Sequence, residues 1–126
     1  MKILTTFLIF ASLQVSAQSI KLKKKFLKTY VGKIPSYEMN LNNQIIPVIS
    51  SNIEVRLTRD SVFVKVGKAK WNGVYSISKM EKKKFELKGK MNNTGIPEFL
   101  ILDTKEKKIY RKGLFPQPDA ILERKK

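Results

Sequence analysis

The residue types that carry most enzyme chemistry are scarce in this sequence. Histidine and cysteine are both absent, which removes the commonest general base, thiol nucleophiles, and imidazole or thiolate metal ligands. Most of the ten acidic residues stand beside Lys or Arg or in predicted turns, as in residues 103–107, where solvated ion pairs are the ordinary arrangement. No glycine-rich phosphate loop, G-x-S-x-G motif or calcium-loop spacing occurs. We therefore expect no catalytic residues, no metal site and no cofactor.

Aromatic residues are the better candidates for a functional site. Trp71 and Tyr75 fall on one face of a predicted strand, and Phe85 falls on the alternating apolar face of the next strand. Ligand sites in barrels are mostly apolar with a few polar anchors. These three side chains are thus the predicted wall of a ligand pocket, with Arg56 or Arg111 as its anchor. The alternative is that the same aromatic side chains simply fill the core of a small barrel.

A β-sheet must position these residues, because a period of two dominates the chain after residue 34. Strands are predicted near residues 34–39, 45–49, 53–57, 62–66, 70–78, 85–91, 99–102, 108–112 and 120–122. Polar turns such as Asn42-Asn43 and Arg59-Asp60 separate them, although the segment 40–52 is hard to place because proline interrupts it. Short strands without intervening helices predict an all-β, antiparallel up-and-down meander that closes into a barrel of about eight strands. A sandwich is the alternative, and the sequential hairpins favour the barrel.

An export signal precedes the predicted barrel. Lys2 is followed by the apolar residues 3–13 and by the small residues Ser16 and Ala17, the pattern of a cleavable secretory signal peptide over residues 1–17. Cleavage before Gln18 would leave 109 of the 126 residues, the length of one domain. We expect an exported protein, periplasmic or secreted. It is not expected to be a lipoprotein, because there is no cysteine to carry a lipid.

The first part of the mature chain is rich in lysine. Apolar residues recur at roughly helical spacing over residues 20–31, which predicts a short amphipathic N-terminal helix that ends at Gly32. Its lysines offer a contact with anionic envelope material, and they are Lys21, Lys23, Lys24, Lys25 and Lys28. The alternative is a helix that closes one end of the β fold with its lysines in water.

The formal net charge is +16, of which the predicted signal peptide contributes only Lys2, so the mature chain carries +15. Such a charge attracts anionic partners, although lysine also serves plain solubility. Lys88 and Lys90 are predicted to face away from Phe85 and Leu87, so the basic and aromatic residues do not share the sheet face that nucleic-acid binding needs. We expect no specific nucleic-acid partner.

Residues 114–119 form the most unusual segment of the sequence. Pro116 and Pro118 flank Gln117 and favour an extended, stiff backbone, and Phe115 precedes them. This segment is predicted to be either a rigid rim that touches a ligand or a partner, or a stiff connection that orients the last strand.

The order of these features resembles a known family. The motif YVGK at residues 30–33, a hairpin, WNGVYSI at residues 71–77, a second hairpin and a closing segment over residues 109–124 are similar in order to small lipocalin-like barrels secreted by Bacteroidetes-type bacteria. The resemblance covers nearly all of the mature chain at the level of pattern. It implies a lipocalin-like barrel architecture, which different functions share.

Two functions are compatible with these features. The first is an exported, non-enzymatic binding protein that holds a small apolar or amphipathic ligand inside the barrel. The second is a basic interaction protein with a filled barrel that docks on anionic envelope components or on a partner protein. A large internal cavity lined by the predicted aromatic residues would favour the first, and a solid core with clustered lysines would favour the second.

Overall fold

The computed structural model describes residues 20–92 and 95–126, so the predicted signal peptide over residues 1–17 lies outside the described residues. The described part begins with a one-turn 3-10 helix, Lys24–Phe26. Its strands are β1 (Thr29–Ile34), β2 (Tyr37–Leu41), β3 (Gln44–Val48), β4 (Ser51–Leu57), β5 (Ser61–Val66), β6 (Ala69–Glu81), β7 (Lys84–Met91), β8 (Glu98–Asp103), β9 (Lys108–Arg111) and β10 (Ala120–Arg124).

Eight of these strands form a closed antiparallel barrel in the order β1-β10-β9-β8-β7-β6-β5-β4. Each barrel strand pairs with its neighbours along the chain, and β1 closes the barrel by pairing with both β4 and β10. Closure satisfies the backbone hydrogen-bonding groups that an open sheet would leave at its edges. The predicted all-β, antiparallel, eight-stranded closed barrel is confirmed.

Alternate residues of each strand point into the barrel and fill it. Val62 and Val64 of β5 and Leu100 and Leu102 of β8 are almost completely buried, and they are typical of the interior. Apolar and polar residues alternate along the strands because one face of the sheet packs on this core while the other is exposed to water. The apolar interior is therefore the main source of stability in a chain with no cysteine to form disulfides.

The predicted N-terminal helix over residues 20–31 is wrong. Only the 3-10 helix Lys24–Phe26 forms, and Tyr30 and Val31 belong to strand β1. A longer helix would place Lys21 beside Lys25 one turn apart, a repulsive pair, with no acidic side chain in the first turn of the 3-10 helix to offset it. As a strand, the same segment gains backbone hydrogen bonds to two neighbours and closes the barrel.

The connections at the two ends of the barrel differ in length. One end, called here the basic end, is formed by residues 21–28, the C-terminus and three short turns. The turns are 58–60, 82–83 and 104–107. The opposite end, called here the hairpin end, is formed by the β2–β3 hairpin, the turn 67–68, residues 95–97 and the connection 112–119. The predicted strand over residues 34–39 is divided at Pro35-Ser36, where the chain leaves the barrel for the hairpin. The hairpin strands pair only with each other.

Phe26 closes the basic end of the barrel. Its side chain is buried in the core, and its carbonyl oxygen accepts a 3.0 Å hydrogen bond from the hydroxyl of the fully buried Tyr30. The Leu57 amide donates a 3.0 Å hydrogen bond to the Lys28 carbonyl, which fastens the segment to β4. Burial raises the pKa of Tyr30, and the positive charge of Arg124 opposes part of that rise.

Candidate functional site

A buried ionic cluster lies just inside the hairpin end of the barrel. Arg111 Nε donates to Glu98 Oε2 and Arg111 Nη2 donates to Glu98 Oε1, both at 2.9 Å. Glu98 Oε1 also accepts a 3.0 Å hydrogen bond from Trp71 Nε1, and Arg111 Nη1 donates to Gln117 Oε1 at 2.7 Å. The side chains of Arg111 and Glu98 are only 4% and 8% exposed. This two-pronged pairing is the geometry in which a buried arginine and carboxylate satisfy each other best.

Strand register explains how these residues meet. Glu98 opens β8 at the inward position that Leu100 and Leu102 continue, and Arg111 pairs with Leu100 across the β8–β9 ladder. Trp71 lies on β6 and reaches Glu98 across β7. Gly89 of β7 pairs with Glu98, and a Cβ at this position would lie 3.5 Å from the Cβ of Glu98. The shorter contacts of such a Cβ would be 3.1 Å to Val62 Cγ1 and 3.2 Å to Met91 Sδ, so the core is closely packed beside Glu98.

The connection between β9 and β10 covers the cluster. Gln117 is held in place by its backbone amide, which donates to the Leu114 carbonyl at 2.7 Å. The Gly113 amide donates to Asp119 Oδ1 at 2.9 Å, which ties the two ends of the loop together. The stiff Pro116 and Pro118 limit the loop further. The segment therefore lies over the cluster, and the side chain of Phe115 at its tip is 99% exposed.

A cleft of about 280 Å³ opens above the ionic cluster. We call it the mouth cleft, and its apolar lining consists of Tyr37, Met39, Ile96, Leu114 and Pro116, with Trp71, Glu98, Arg111 and Gln117 beneath. Tyr37 and Met39 reach it from the inner face of the β2–β3 hairpin. The hairpin, residues 95–97 and the 112–119 loop therefore each contribute one side of the cleft.

Larger depressions lie elsewhere, on the outer wall of the barrel. One, of about 550 Å³, crosses β1, β4 and β5 and is lined by outward side chains such as Lys33, Glu54 and Lys65. Another, of about 430 Å³, lies over β6 and β7 beside Lys88 and Lys90. Both, like the mouth cleft, are open to solvent, but their lysines are exposed and do not form a buried polar cluster. The smaller mouth cleft is the better candidate because it combines a buried polar cluster with an apolar lining.

The predicted pocket residues are divided among three places. Trp71 and Arg111 meet through Glu98 at the mouth cleft. Tyr75 and Phe85 point inward but lie further toward the basic end, where both pack against the core. Arg56 is on the outer wall, with its guanidinium 4.1 Å from the centre of the Phe63 ring, so it does not join the others. The predicted set is therefore not one pocket.

Tyr75 has a structural partner at the basic end. Its hydroxyl donates to the Thr58 carbonyl at 2.7 Å and lies 3.3 Å from the Arg59 carbonyl oxygen. Burial raises the pKa of Tyr75, and the negative charge of Asp60 raises it further. The phenol therefore stays neutral well above physiological pH and holds the β4–β5 turn against the barrel wall.

Glu98 and Gln117 are members of the cluster that the sequence reasoning missed, as are Tyr37 and Met39 in the cleft lining. Glu98 carried a signal, because it continues the inward alternation of Leu100 and Leu102 with a charged residue. A carboxylate at a core position requires a cationic partner. The hairpin residues gave no such signal, because nothing in a local pattern shows which end of the barrel a hairpin covers.

The lysines predicted to contact anionic material lie at the opposite end from the mouth cleft. They are all exposed at the basic end: Lys21, Lys23, Lys24, Lys25 and Lys28. Within residues 20–92 and 95–126, no helix is long and apolar enough to cross a membrane. The same residues hold no group of three or more acidic side chains suited to a metal ion.

Fold and cleft together define a closed, antiparallel, eight-stranded barrel with a filled interior and a small amphipathic cleft at one end. No family model matches the chain. No curated protein and no solved structure matches it either. Any assignment of function must therefore come from the site itself.

Proposed function

We propose that this protein is an exported, non-enzymatic binding protein of lipocalin-like architecture that holds a small amphipathic molecule in the mouth cleft. The observation that carries the proposal is the lining of this cleft. Its apolar side chains surround the buried Glu98–Arg111 ion pair, which forms the floor of the cleft and whose charges cancel. Small-molecule sites typically combine a mostly apolar surface with a few fixed polar groups. An up-and-down barrel with one end closed by Phe26 and a cleft at the other supports the lipocalin-like comparison.

The floor of the cleft favours an uncharged ligand. Arg111 is neutralised by Glu98 through two hydrogen bonds, so neither charge is left to pair with an ionic group. Gln117 Oε1 accepts from Arg111, and within the described residues the amide NH₂ group of Gln117 has no acceptor. That NH₂ group is a donor for a ligand. The expected ligand has an apolar body and a neutral hydrogen-bond acceptor such as a hydroxyl, carbonyl or ether oxygen.

The filled interior is the observation expected to favour the basic interaction protein, so the proposal moves ligand binding from the inside of the barrel to the mouth cleft. The inward side chains of β4, β5 and β8 are almost fully buried against one another, which leaves the interior to the core. The cleft volume, about 280 Å³, is near the lower end of the range for small-molecule sites, roughly 300 to 1,000 Å³. The proposed ligand is accordingly small, or part of it extends beyond the rim.

The hydrogen bonding of the acidic residue in the site supports the proposed non-catalytic role. Glu98 accepts three hydrogen bonds, two from Arg111 and one from Trp71. A general base needs a carboxylate that can reach and accept a substrate proton. Both carboxylate oxygens of Glu98 instead accept hydrogen bonds from side chains of the protein. The cluster is therefore proposed to position the cleft walls and to hold Trp71 at the ligand.

Fluorescence provides a direct test, because Trp71 is the only tryptophan in the chain and lines the cleft. We expect the uncharged probe N-phenyl-1-naphthylamine to quench Trp71 emission with a saturable dependence, and 1-decanol to displace it. Leu114→Ala should weaken binding about fivefold, because removing three apolar carbons from a half-exposed lining residue costs about 1 kcal/mol of contact.

The matched control is Ile121→Ala. Ile121 is 56% exposed, close to the 50% of Leu114, but it lies on the outer face of β10. Equal losses in the two variants would contradict the mouth cleft as the site. Decanoate should compete less well than 1-decanol, and the reverse order would contradict a neutral floor. Native mass spectrometry of protein from its own host should show a small uncharged adduct that Leu114→Ala reduces.

A further inference from the structure

The basic end of the barrel gathers lysines from three separate parts of the chain. Residues 21–28 contribute five lysines, residues 82–84 contribute three, and residues 105–108 contribute three. Nearly all of these side chains are exposed. Lys108 pairs with Glu106 and Glu123 at 3.7 and 3.5 Å. Among the described residues, the other ten lysines form no ion pair with an acidic side chain. The basic end keeps an excess of positive charge although five acidic residues also lie there, namely Asp60, Glu81, Asp103, Glu106 and Glu123.

Hydrogen bonds fix two of these segments to each other. The amide and the hydroxyl of Thr104 both donate to the Lys83 carbonyl at 2.8 Å, which joins the β8–β9 turn to the β6–β7 turn. The 3-10 segment is fastened to the same end through Phe26 in the core and through the hydrogen bond from Leu57 to Lys28. Lysines far apart in sequence therefore form one charged surface, called here the lysine face.

The turns of the lysine face carry lysine where backbone geometry favours other residues. Lys83 and Lys107 have φ angles of +81° and +58°, the left-handed region that costs most side chains roughly 1 kcal/mol or more. At the hairpin end, Asn42, Asn43 and Gly67 occupy left-handed positions, and these are the residue types that adopt this conformation readily. Lysine therefore occupies turn positions of the basic end that asparagine or glycine would fill with less strain. This is a second observation that indicates a function for the positive charge.

We infer that the lysine face docks this protein on the anionic headgroups of a lipid membrane. A plane of phosphate-bearing headgroups complements this end of the closed barrel, where exposed lysines come from several separate segments. Ile20 and Met80 are exposed apolar side chains near these lysines, and apolar residues among lysines are typical of interfacial contacts. The inference is independent of the mouth cleft, which lies at the other end of the barrel.

The composition of the lysine face favours lipid over nucleic acid or a specific phosphate ligand. Lysine is a mobile point charge suited to diffuse attraction, whereas arginine forks select a particular phosphate geometry. The eleven lysines of the lysine face are joined at this end by Lys125 and Lys126 and by only two arginines, Arg59 and Arg124. Exposed aromatic side chains, on which unpaired bases stack, are absent from the described residues of this end. An anionic membrane surface attracts clustered exposed lysines without requiring a fixed phosphate geometry.

Vesicle sedimentation of the purified protein tests the inference. We expect binding to vesicles of phosphatidylglycerol and phosphatidylcholine, none to pure phosphatidylcholine, and release as salt shortens the screening length. The variant Lys83→Asn/Lys107→Asn should bind about twentyfold more weakly, since each lysine near an anionic surface contributes about fivefold. The same variant should unfold at a higher urea concentration, because asparagine relieves the left-handed strain. Weaker binding by a more stable protein excludes misfolding as the cause.

The charge-matched control is Lys68→Asn/Lys90→Asn, which removes two exposed lysines near the hairpin end. It should bind the anionic vesicles as the unaltered protein does. An equal loss in the control would overturn the inference, because net charge rather than the lysine face would then be responsible. Binding to polyphosphate that depends on Lys83 and Lys107, with no binding to anionic vesicles, would also overturn it in favour of a soluble polyanion.

Discussion

Replacing one partner of the buried Glu98–Arg111 pair should be far more damaging than replacing both. In Arg111→Met, the carboxylate of Glu98 loses two of its three hydrogen bonds and keeps only the one from Trp71. At this degree of burial, an orphaned charge costs about 3–5 kcal/mol. The free energy of unfolding for a single domain is only about 5–15 kcal/mol, so this variant should lose a large fraction of its stability.

The double variant Glu98→Leu/Arg111→Met should recover most of that loss. Both charges are then gone, and apolar side chains of similar length can pack beneath the cleft, an exchange that is often neutral or stabilising. Trp71 Nε1 loses its acceptor, which costs about 1 kcal/mol. We expect the double variant to lie within about 2 kcal/mol of the unaltered protein, with a coupling energy of several kcal/mol between the two sites.

Urea unfolding followed by far-ultraviolet circular dichroism measures these differences without relying on Trp71, whose emission the substitutions alter. Glu98→Gln is a third variant that tests the charge alone. The amide keeps the shape of the side chain, but it leaves the buried guanidinium of Arg111 without a counter-charge and turns one acceptor into an NH₂ donor. Two results would contradict a tightly coupled buried pair. One is a measurable Arg111→Met variant whose free energy of unfolding falls by less than about 1 kcal/mol. The other is a double variant that loses the sum of the two single losses.

Two further predictions concern the barrel itself. Gly73→Ala should prevent or severely weaken folding, because a Cβ at residue 73 would lie 2.0 Å from the Lys90 carbonyl oxygen. Gly67→Ala should cost only about 1 kcal/mol of left-handed strain, because its Cβ would meet open space. The midpoints of thermal unfolding compare the two variants. Burial raises the pKa of Tyr30, so its contribution to stability is complete below pH 10 and falls as the pH rises through the raised value. Tyr30→Phe loses the hydrogen bond to Phe26, about 1 kcal/mol at neutral pH, and should show a shallower alkaline loss in urea unfolding from pH 9 to 12.

The barrel strands were predictable because the fold imposes one simple rule on each of them. A strand with one face in the core and one face in water must alternate apolar and polar residues. In β5, Val62, Val64 and Val66 are the inward residues of this alternation. The segment at Tyr30 was harder, since an apolar spacing over a few residues fits a helix as well as a strand. Barrel closure through pairing with β4 and β10 decides it, and that pairing joins residues distant in sequence.

The functional site was less predictable than the fold for a related reason. Trp71 and Arg111 were identified as ligand candidates by residue type, but types do not show at which level of a barrel a side chain lies. Tyr75 stands only four residues after Trp71, yet it bonds the turn at the other end through the Thr58 carbonyl. The tilt and length of β6, thirteen residues, separate positions that a flat alternating pattern places together.

The separation along β6 also bears on how the two proposed surfaces would work together. At about 3.3 Å per residue, the strand from Trp71 to Glu81 spans roughly 30 Å, several times the screening length of about 8 Å at physiological ionic strength. The lysine face therefore exerts little electrostatic influence on the mouth cleft, whose own charges cancel. A protein docked by the lysine face would present the cleft away from the membrane, so a ligand could enter or leave without release of the protein. We accordingly expect the dissociation constant of N-phenyl-1-naphthylamine, corrected for its partition into lipid, to be the same with and without anionic vesicles. A change larger than about threefold would mean that the filled barrel couples its two ends, which a rigid, closely packed interior gives no reason to expect.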